Sequence, residues 1–487
     1  MAHDEAPAAE VRDFWLGGRA ARGGDVLEVR SPYDGSVSGR VSVPDEAHIE
    51  EAVAGAARAA EPFSALPAHA RSAALRHVST RLAEEADAFA DVLTAESGKP
   101  RRWAEIEVAR AVSTFAWGAE EARRWSGELQ RLDTDEAGTG RLALVRRFPI
   151  GPVLAIAPFN FPLNLVAHKV APALAIGAPV IIKPAPKTPL SALLLGQLLA
   201  ETDLPEGSWS VLPVRDSRMP ELVADPRLPV VSFTGSGPVG WRLRESLPRK
   251  HVVLELGGNA AVLVAPDWSA PEDLRWAAER IATFGNYQAG QSCISVQRVF
   301  VDRSLHAPLL AEITAAVQRL TTGDPRDHGT DVGPVIDLPS AERIESWISE
   351  AVGMGATVTA GGSRNGTSVE PTVLTGVPAG ATVAREEVFG PVLVVEPVDG
   401  LDDGFARIND SDYGLQAGVF TRDLPTAFRA HRELQVGGVI VGDVPSFRAD
   451  QMPYGGVKNS GLGREGVRAA MEDLSLDRVL VLSGLPL

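Results

Sequence analysis

Apolar residues recur at steps of three and four over residues 45–60 and 69–93, which predicts amphipathic helices in an Ala-, Glu- and Arg-rich first part reaching about residue 124. From about residue 147 the pattern changes. Short apolar runs bounded by Gly and Pro (151–157, 180–182, 210–212, 230–233 and 251–255) alternate with helix-like stretches at 163–176 and 189–202. Strand–helix alternation of this kind predicts a parallel sheet covered by helices on both faces. A second alternation at 261–265, 271–284, 296–301, 307–320 and 340–352 predicts another α/β domain. The segment 129–147 breaks the helical pattern between the two styles, and 474–482 alternates like a strand. Neither has an evident place in the two domains, so pairing with another subunit is expected to cover their edges.

Length supports the division, because 487 residues exceed the ~250–300 at which a single core stops growing. The net charge of −16, from 63 acidic and 47 basic residues, argues against a sequence-independent nucleic-acid binder, which needs a basic face. It still allows a small anionic ligand in a locally positive pocket. The start, Met1-Ala2-His3-Asp4-Glu5, lacks the basic and apolar regions of a secretory signal. No apolar run approaches the ~20 residues that cross a bilayer. One unpaired cysteine suits a reducing compartment. The expectation is a cytoplasmic, soluble protein with no nucleic-acid or membrane partner.

That cysteine, Cys293, ends the run Asn286-Tyr287-Gln288-Ala289-Gly290-Gln291-Ser292-Cys293. A lone thiol makes no internal disulfide. Its small and polar neighbours leave room for a ligand at the sulfur; the alternative is a buried thiol packing as a small hydrophobe. Gly235-Ser236-Gly237-Pro238-Val239-Gly240 matches G-x-G-x-x-G between a predicted strand (230–233) and a predicted helix (239–246). In that setting the glycines let backbone N–H groups approach a pyrophosphate at a helix N-terminus. Glu255 lies about twenty residues further on, where an ordinary dinucleotide fold keeps its ribose-binding acid.

Seven motifs in order change that last assignment. They are Pro158-Phe159-Asn160-Phe161-Pro162, Lys183-Pro184-Ala185, Phe233-Thr234-Gly235-Ser236, Glu255-Leu256-Gly257-Gly258-Asn259, Gly290-Gln291-Ser292-Cys293, Glu387-Val388-Phe389-Gly390-Pro391, and Pro453-Tyr454-Gly455-Gly456-Val457-Lys458 with Ser460-Gly461. Together, from about Phe14 to the C-terminus, the chain resembles the NAD(P)-dependent aldehyde dehydrogenase superfamily. The resemblance implies an α/β fold with two Rossmann-like α/β domains: a cofactor domain (1–127, 147–256 and 450–468) and a catalytic domain (257–449). It also implies a small β oligomerisation flap (128–146 and 469–487) and a homodimer or homotetramer.

The implied chemistry oxidises an aldehyde to its acid. Cys293 attacks as a thiolate, Asn160 and the Cys293 backbone N–H form the oxyanion hole, and Glu255 is the general base that activates water rather than the ribose ligand. Lys169 and Glu465 match a proton relay; either is otherwise a packing or surface residue. Ile156, Pro158, Phe159, Gly235 and Gly240 are expected along the cofactor, Lys183 at the adenosine ribose, Ser236 at a phosphate, Glu387 at the nicotinamide ribose, and Phe389 against the nicotinamide. No metal is expected.

One position departs from the common pattern. Many NAD-using relatives carry Glu three residues after the cofactor lysine, and here Pro186 stands there. Losing that carboxylate removes its repulsion of a 2′-phosphate, and Lys187 adds a positive charge beside it. NAD or NADP is therefore allowed, with a lean to NADP. The runs 164–169 and 444–450 resemble a branch that handles small polar aldehydes: lactaldehyde, phosphonoacetaldehyde or phosphorylated glyceraldehyde. His168 is expected at the substrate channel, with Arg102 and Arg448 as charges for an anionic group. Ser292 stands where some phosphonate-binding relatives place Arg. The competing readings are a CoA-acylating relative, which would generally lack an acid at 255, and an inactive relative that keeps the fold.

Overall fold

The computed structural model describes residues 10–484, so the acidic start read above lies outside the described residues. Two large sheets organise the chain. The first has the order Gly461–Leu462, His251–Glu255, Val230–Thr234, Val153–Ile156, Val180–Lys183, Trp209–Val211, Phe14–Leu16, Arg19–Ala21. Its five middle strands are mutually parallel. Val153–Ile156 and Val180–Lys183 are buried along their whole length, as continuous apolar runs between two helical layers should be. Strand order reverses between Val153–Ile156 and Val230–Thr234, and at such a switch point ligands bind beyond the carboxyl ends of the strands. Those ends carry Ile156, Lys183, Thr234 and Glu255 in adjacent register.

The second sheet runs Thr357–Ala360, Thr372–Thr375, Val392–Val398, Arg298–Asp302, Ala261–Val264, Gln416–Phe420, Gly438–Val441, parallel except at its first edge. Cys293 lies just before Arg298–Asp302, and Glu387 and Phe389 just before Val392–Val398. The amino ends of this sheet therefore feed the same region as the carboxyl ends of the first.

Two expectations change. Residues 69–93 do not make one helix but two, Ala68–Glu84 and Ala86–Ser97, parted at Glu85 (φ −103°, ψ 20°). The second helix is re-aimed so that Glu96 accepts from Leu190 N (2.6 Å) and Ser191 N (3.1 Å), capping Leu190–Ala200. Capping of this kind satisfies N–H groups that have no partner inside the helix.

The strands with no evident place have partners in their own chain. Ser475–Ser483 pairs antiparallel with Arg141–Pro149, which pairs with Glu128–Arg131. This three-stranded sheet leaves Leu129, Leu476, Val479, Leu480 and Val481 exposed.

Candidate active site

A strained turn presents the thiol. Gln288 and Ala289 hold left-handed backbone (φ 52° and 54°), a conformation that costs non-glycine residues of order 1–3 kcal/mol each. Gly290 follows at φ 70°, and a Cβ there would lie 2.0 Å from the Gly390 carbonyl oxygen. The turn is held by side chains: Asn286 Nδ2 donates to Ala282 O (2.7 Å), Gln291 Nε2 to Gln288 O (3.1 Å), and Ile336 N to Gln291 Oε1 (2.9 Å). Asn160 Nδ2 donates to Gln291 O at 2.9 Å, so its amide sits against the Cys293 segment.

Asn160 is anchored from below. Lys99 Nζ donates to its carbonyl oxygen (2.9 Å) and pairs with Glu107 in full burial. Glu107 Oε1 in turn accepts from Leu163 N and Asn164 N, capping the buried helix Asn164–Ile176. A buried ion pair is tolerable only when its remaining hydrogen bonds are made, and here they are.

Burial pushes the Cys293 thiol up to about 12, against a lowering hydrogen bond from Tyr454 whose hydroxyl is 3.0 Å from Sγ. Glu255 is buried at the end of its strand with neither carboxylate oxygen hydrogen-bonded. Burial, and then the charge of Glu465, drive its carboxyl well above the usual range. For Glu465 itself burial acts upward, but Lys169 and Arg448 outweigh it and hold the carboxyl low. Lys169 Nζ reaches Ser232 Oγ (2.9 Å) and Glu465 Oε1 (3.2 Å), and Arg448 Nη2 reaches Glu465 Oε2 (3.0 Å). The strand pair Glu255–Gly461 brings this returning segment onto the first sheet.

Glu387 is half-buried, accepts from Gly258 N (3.0 Å), and is pushed by desolvation up to about 7. A Cβ on Gly257 would lie 2.0 Å from its Oε2, so only glycine permits this approach. Phe389, at φ 48°, meets Phe159 edge-on at 5.9 Å. Ser236 caps Gly237–Ser246 with extended backbone and no side-chain capping bond, with open space at Gly237. Gly240 packs under Leu256. Ile156 ends the switch-point strand and Pro158 follows it. Lys183 is buried, and its Nζ meets Asp216 Oδ1 at 2.6 Å.

The substrate candidates divide. His168 is buried, with Nε2 3.2 Å from Asp450 Oδ1, and burial lowers it to about 4. Arg448 is buried over the Tyr454 ring at 3.9 Å and keeps Nε without a partner. Ser292 Oγ accepts from the Tyr287 hydroxyl at 2.6 Å. Arg102 does not join this cluster: it is half-exposed, paired with Asp331 at 2.6 Å and stacked on Trp103. Lys187 is likewise spent elsewhere, paired with Asp337, the N-cap of Leu338–Gly353. Sequence reasoning left Asp216, Arg110, Asp450 and the Tyr454 hydroxyl without roles. Arg110 Nη2 meets Asp450 Oδ1 at 3.0 Å, 340 residues along the chain, a separation that hides the pairing.

Comparison with known proteins decides the family: the aldehyde dehydrogenase family pattern matches residues 19–479. The chain belongs to the aldehyde dehydrogenase family. The 3-sulfolactaldehyde dehydrogenase of Priestia aryabhattai is 40% identical over 458 residues, covering 94% of this chain and 95% of that one. Physcomitrella patens aldehyde dehydrogenase 21, solved with its reaction product succinate, superposes with a TM-score of 0.96 at 40% identity, covering 98% and 99% of the two chains. The NADP-dependent glyceraldehyde-3-phosphate dehydrogenase of Bacillus halodurans C-125, solved with NADP, gives 0.93 at 34% identity, covering 97% and 99%. Within this aldehyde dehydrogenase, the described residues hold no group of three His, Cys, Asp or Glu side chains placed to bind a metal ion. No helix among them is long and apolar enough to cross a membrane.

Proposed function

We propose that this aldehyde dehydrogenase oxidises a small polar aldehyde to its carboxylic acid with NAD(P)+, through covalent intermediates on Cys293. The observation that carries this reading is that the Asn160 amide is bonded to the segment carrying Cys293, while a buried, unpartnered Glu255 carboxylate lies close enough for its charge to act on the sulfur. Bound NAD(P)+ supplies the hydride acceptor. Half-buried Glu387, open Ser236–Gly237 and buried Lys183 fit it as ribose, phosphate and adenosine-side contacts, with Ile156, Pro158, Phe159, Gly235, Gly240 and Phe389 along its length.

Cys293 gives up its proton to water and, as the thiolate, Sγ bonds to the carbonyl carbon. The carbonyl π pair becomes an oxyanion that Asn160 Nδ2 and the Cys293 N–H stabilise. Loss of hydride re-forms the carbonyl as a thioester. Glu255 then draws a proton from water, whose oxygen adds to the thioester carbon; the C–S bond breaks and the acid leaves. Lys169 and Glu465 carry the proton onward.

Arg448, with an unpartnered Nε beside the sulfur pocket, supplies charge for an anionic substituent, and His168 is fixed beside it by Asp450. The Priestia relative's named substrate is anionic in that sense. The segments 1–127, 147–256 and 450–468 serve the cofactor and 257–449 the thiol. The exposed strands of 128–146 and 469–487 join subunits into a homodimer or homotetramer, and the enzyme works in the cytoplasm. The test is a screen of neutral, carboxylated, phosphorylated, phosphonylated and sulfonated small aldehydes, following reduced cofactor. Anionic compounds are expected to win; activity that survives Cys293→Ala ends the covalent reading.

A further inference from the structure

Tyr454 has no part in the mechanism above, yet its hydroxyl is the hydrogen-bond partner of the Cys293 sulfur, at 3.0 Å. The ring is fixed on all sides. It packs with Ile294 and Leu415 around Cys293, and the Arg448 guanidinium covers it at 3.9 Å. Only 3% of the residue is exposed, so the hydroxyl is shielded from water.

Direction follows from chemistry. With a neutral thiol either atom can donate. Once the sulfur is deprotonated only the phenol can donate, because a thiol (~8.5) ionises before a phenol (~10). Burial, with the Cys293 charge next, drives Tyr454 further up, which keeps it the donor. A bond to an ionised acceptor is roughly twice as strong as a neutral one. The contact therefore stabilises the charged sulfur more than the neutral one.

We propose that Tyr454 is a further catalytic residue, donating its phenolic O–H to the Cys293 sulfur and favouring the thiolate that attacks the aldehyde. This rests on the reading of Cys293 as the nucleophile. The other groups that face the thiol are Glu387 and Glu255, which disfavour its charge, and Arg448, which favours it. Tyr287 is nearby and bonded to Ser292. Of these, Tyr454 alone is hydrogen-bonded to the sulfur.

The chain has one cysteine, so alkylation by iodoacetamide reports Cys293 and nothing else. In Tyr454→Phe the thiol should be harder to ionise by about one pKa unit. That cuts the thiolate fraction about tenfold, while the more basic thiolate reacts about threefold faster, for a net fall in alkylation rate of about threefold at about pH 8. A residue that merely packs would give the opposite result, because losing the hydroxyl opens access to the sulfur. Turnover should fall with KM held within about twofold.

An unchanged or faster alkylation in a folded Tyr454→Phe overturns the proposal. Should that variant melt, fluorotyrosine incorporated at all 4 tyrosines gives a stronger donor, and alkylation should then accelerate; no change or a slowing overturns it. Cys293→Ala separates the two ideas. Dehydrogenase activity surviving Cys293→Ala sinks the nucleophile assignment, whereas its loss together with normal alkylation in Tyr454→Phe sinks only the role of the phenol.

Discussion

Glu465 keeps its negative charge beside Glu255 by pairing with two cations, Lys169 at 3.2 Å and Arg448 at 3.0 Å. Glu255 is left with no partner and is driven upward by burial and by its neighbour's charge. Two nearby carboxyls pushed in opposite directions divide the acid–base work between them. In Glu465→Gln the repulsion disappears and two cations lose their counter-charge, so Glu255 should ionise more easily. Glu255 acts in its deprotonated form, and the acid limb of the kcat profile should move to lower pH. Removing one member of a buried network also costs about 3–5 kcal/mol, measurable by urea unfolding. A limb that stays in place means that Glu255 is not the group it reports.

Replacing Glu255 by Gln should stop the cycle after hydride loss. The expected trace is a burst of about one reduced cofactor per subunit followed by a steady rate lower by about 10²–10⁴. Intact-mass measurement should find the acyl group on Cys293. A normal steady rate, or a burst diverted into acyl-CoA in the wild-type enzyme, contradicts hydrolysis driven by this acid.

Asp216 bears on the choice of cofactor. The common carboxylate is missing at Pro186, but Asp216 puts one on Lys183 at 2.6 Å, and Pro186 and Asp216 lie at a cleft of about 260 Å³ lined also by Arg215 and Ser217. A carboxylate there repels a 2′-phosphate and suits a free 2′-hydroxyl. Asp216→Asn should shift the kcat/KM ratio toward NADP by about tenfold, roughly the 1.4 kcal/mol expected of one such charge. An unshifted ratio places Asp216 outside the cofactor's reach.

His168 predicts a weakening in mild acid. Burial lowers it to about 4, against the raising effect of Asp450, while an unfolded imidazole titrates near ~6.5. The unfolded chain therefore binds more protons between those values. The contribution is complete above about 6.5 and is lost as pH falls toward about 4, with about 2 kcal/mol gone by about pH 5. Burial acts upward on Asp450, but the hydrogen bonds from His168 and Arg110 outweigh it and hold it at about 2, so its own loss comes only below about 4. Urea midpoints at about pH 7 and about pH 5 should separate more in the wild type than in His168→Gln. Equal separations refute the assignment.

The parts of the site legible in the sequence are those fixed by short local patterns. Cys293, Asn160 and Glu255 stand in contiguous motifs at strand ends, where type and spacing suffice. What escaped detection depends on residues far apart in the chain: Arg110 on Asp450, Lys99 under Asn160, Tyr454 on Cys293. Arg102 and Lys187 each pair with a nearby acid, Asp331 or Asp337, that no pattern announces. The break at Glu85 carries no Gly or Pro; it is imposed by where Glu96 must arrive to cap Leu190–Ala200.

The strand Ser475–Ser483 follows directly on the helix Val467–Asp473, which follows Glu465 and Tyr454. Arg147 clamps the junction, donating to Ser475 Oγ (3.0 Å) and Glu472 O (2.6 Å). Whatever grips or trims the tail thus pulls on a tether some ten residues from the relay acid. For anyone fusing a tag or clipping the terminus, a loss of turnover would be the first sign of slack in that tether, well before any loss of solubility.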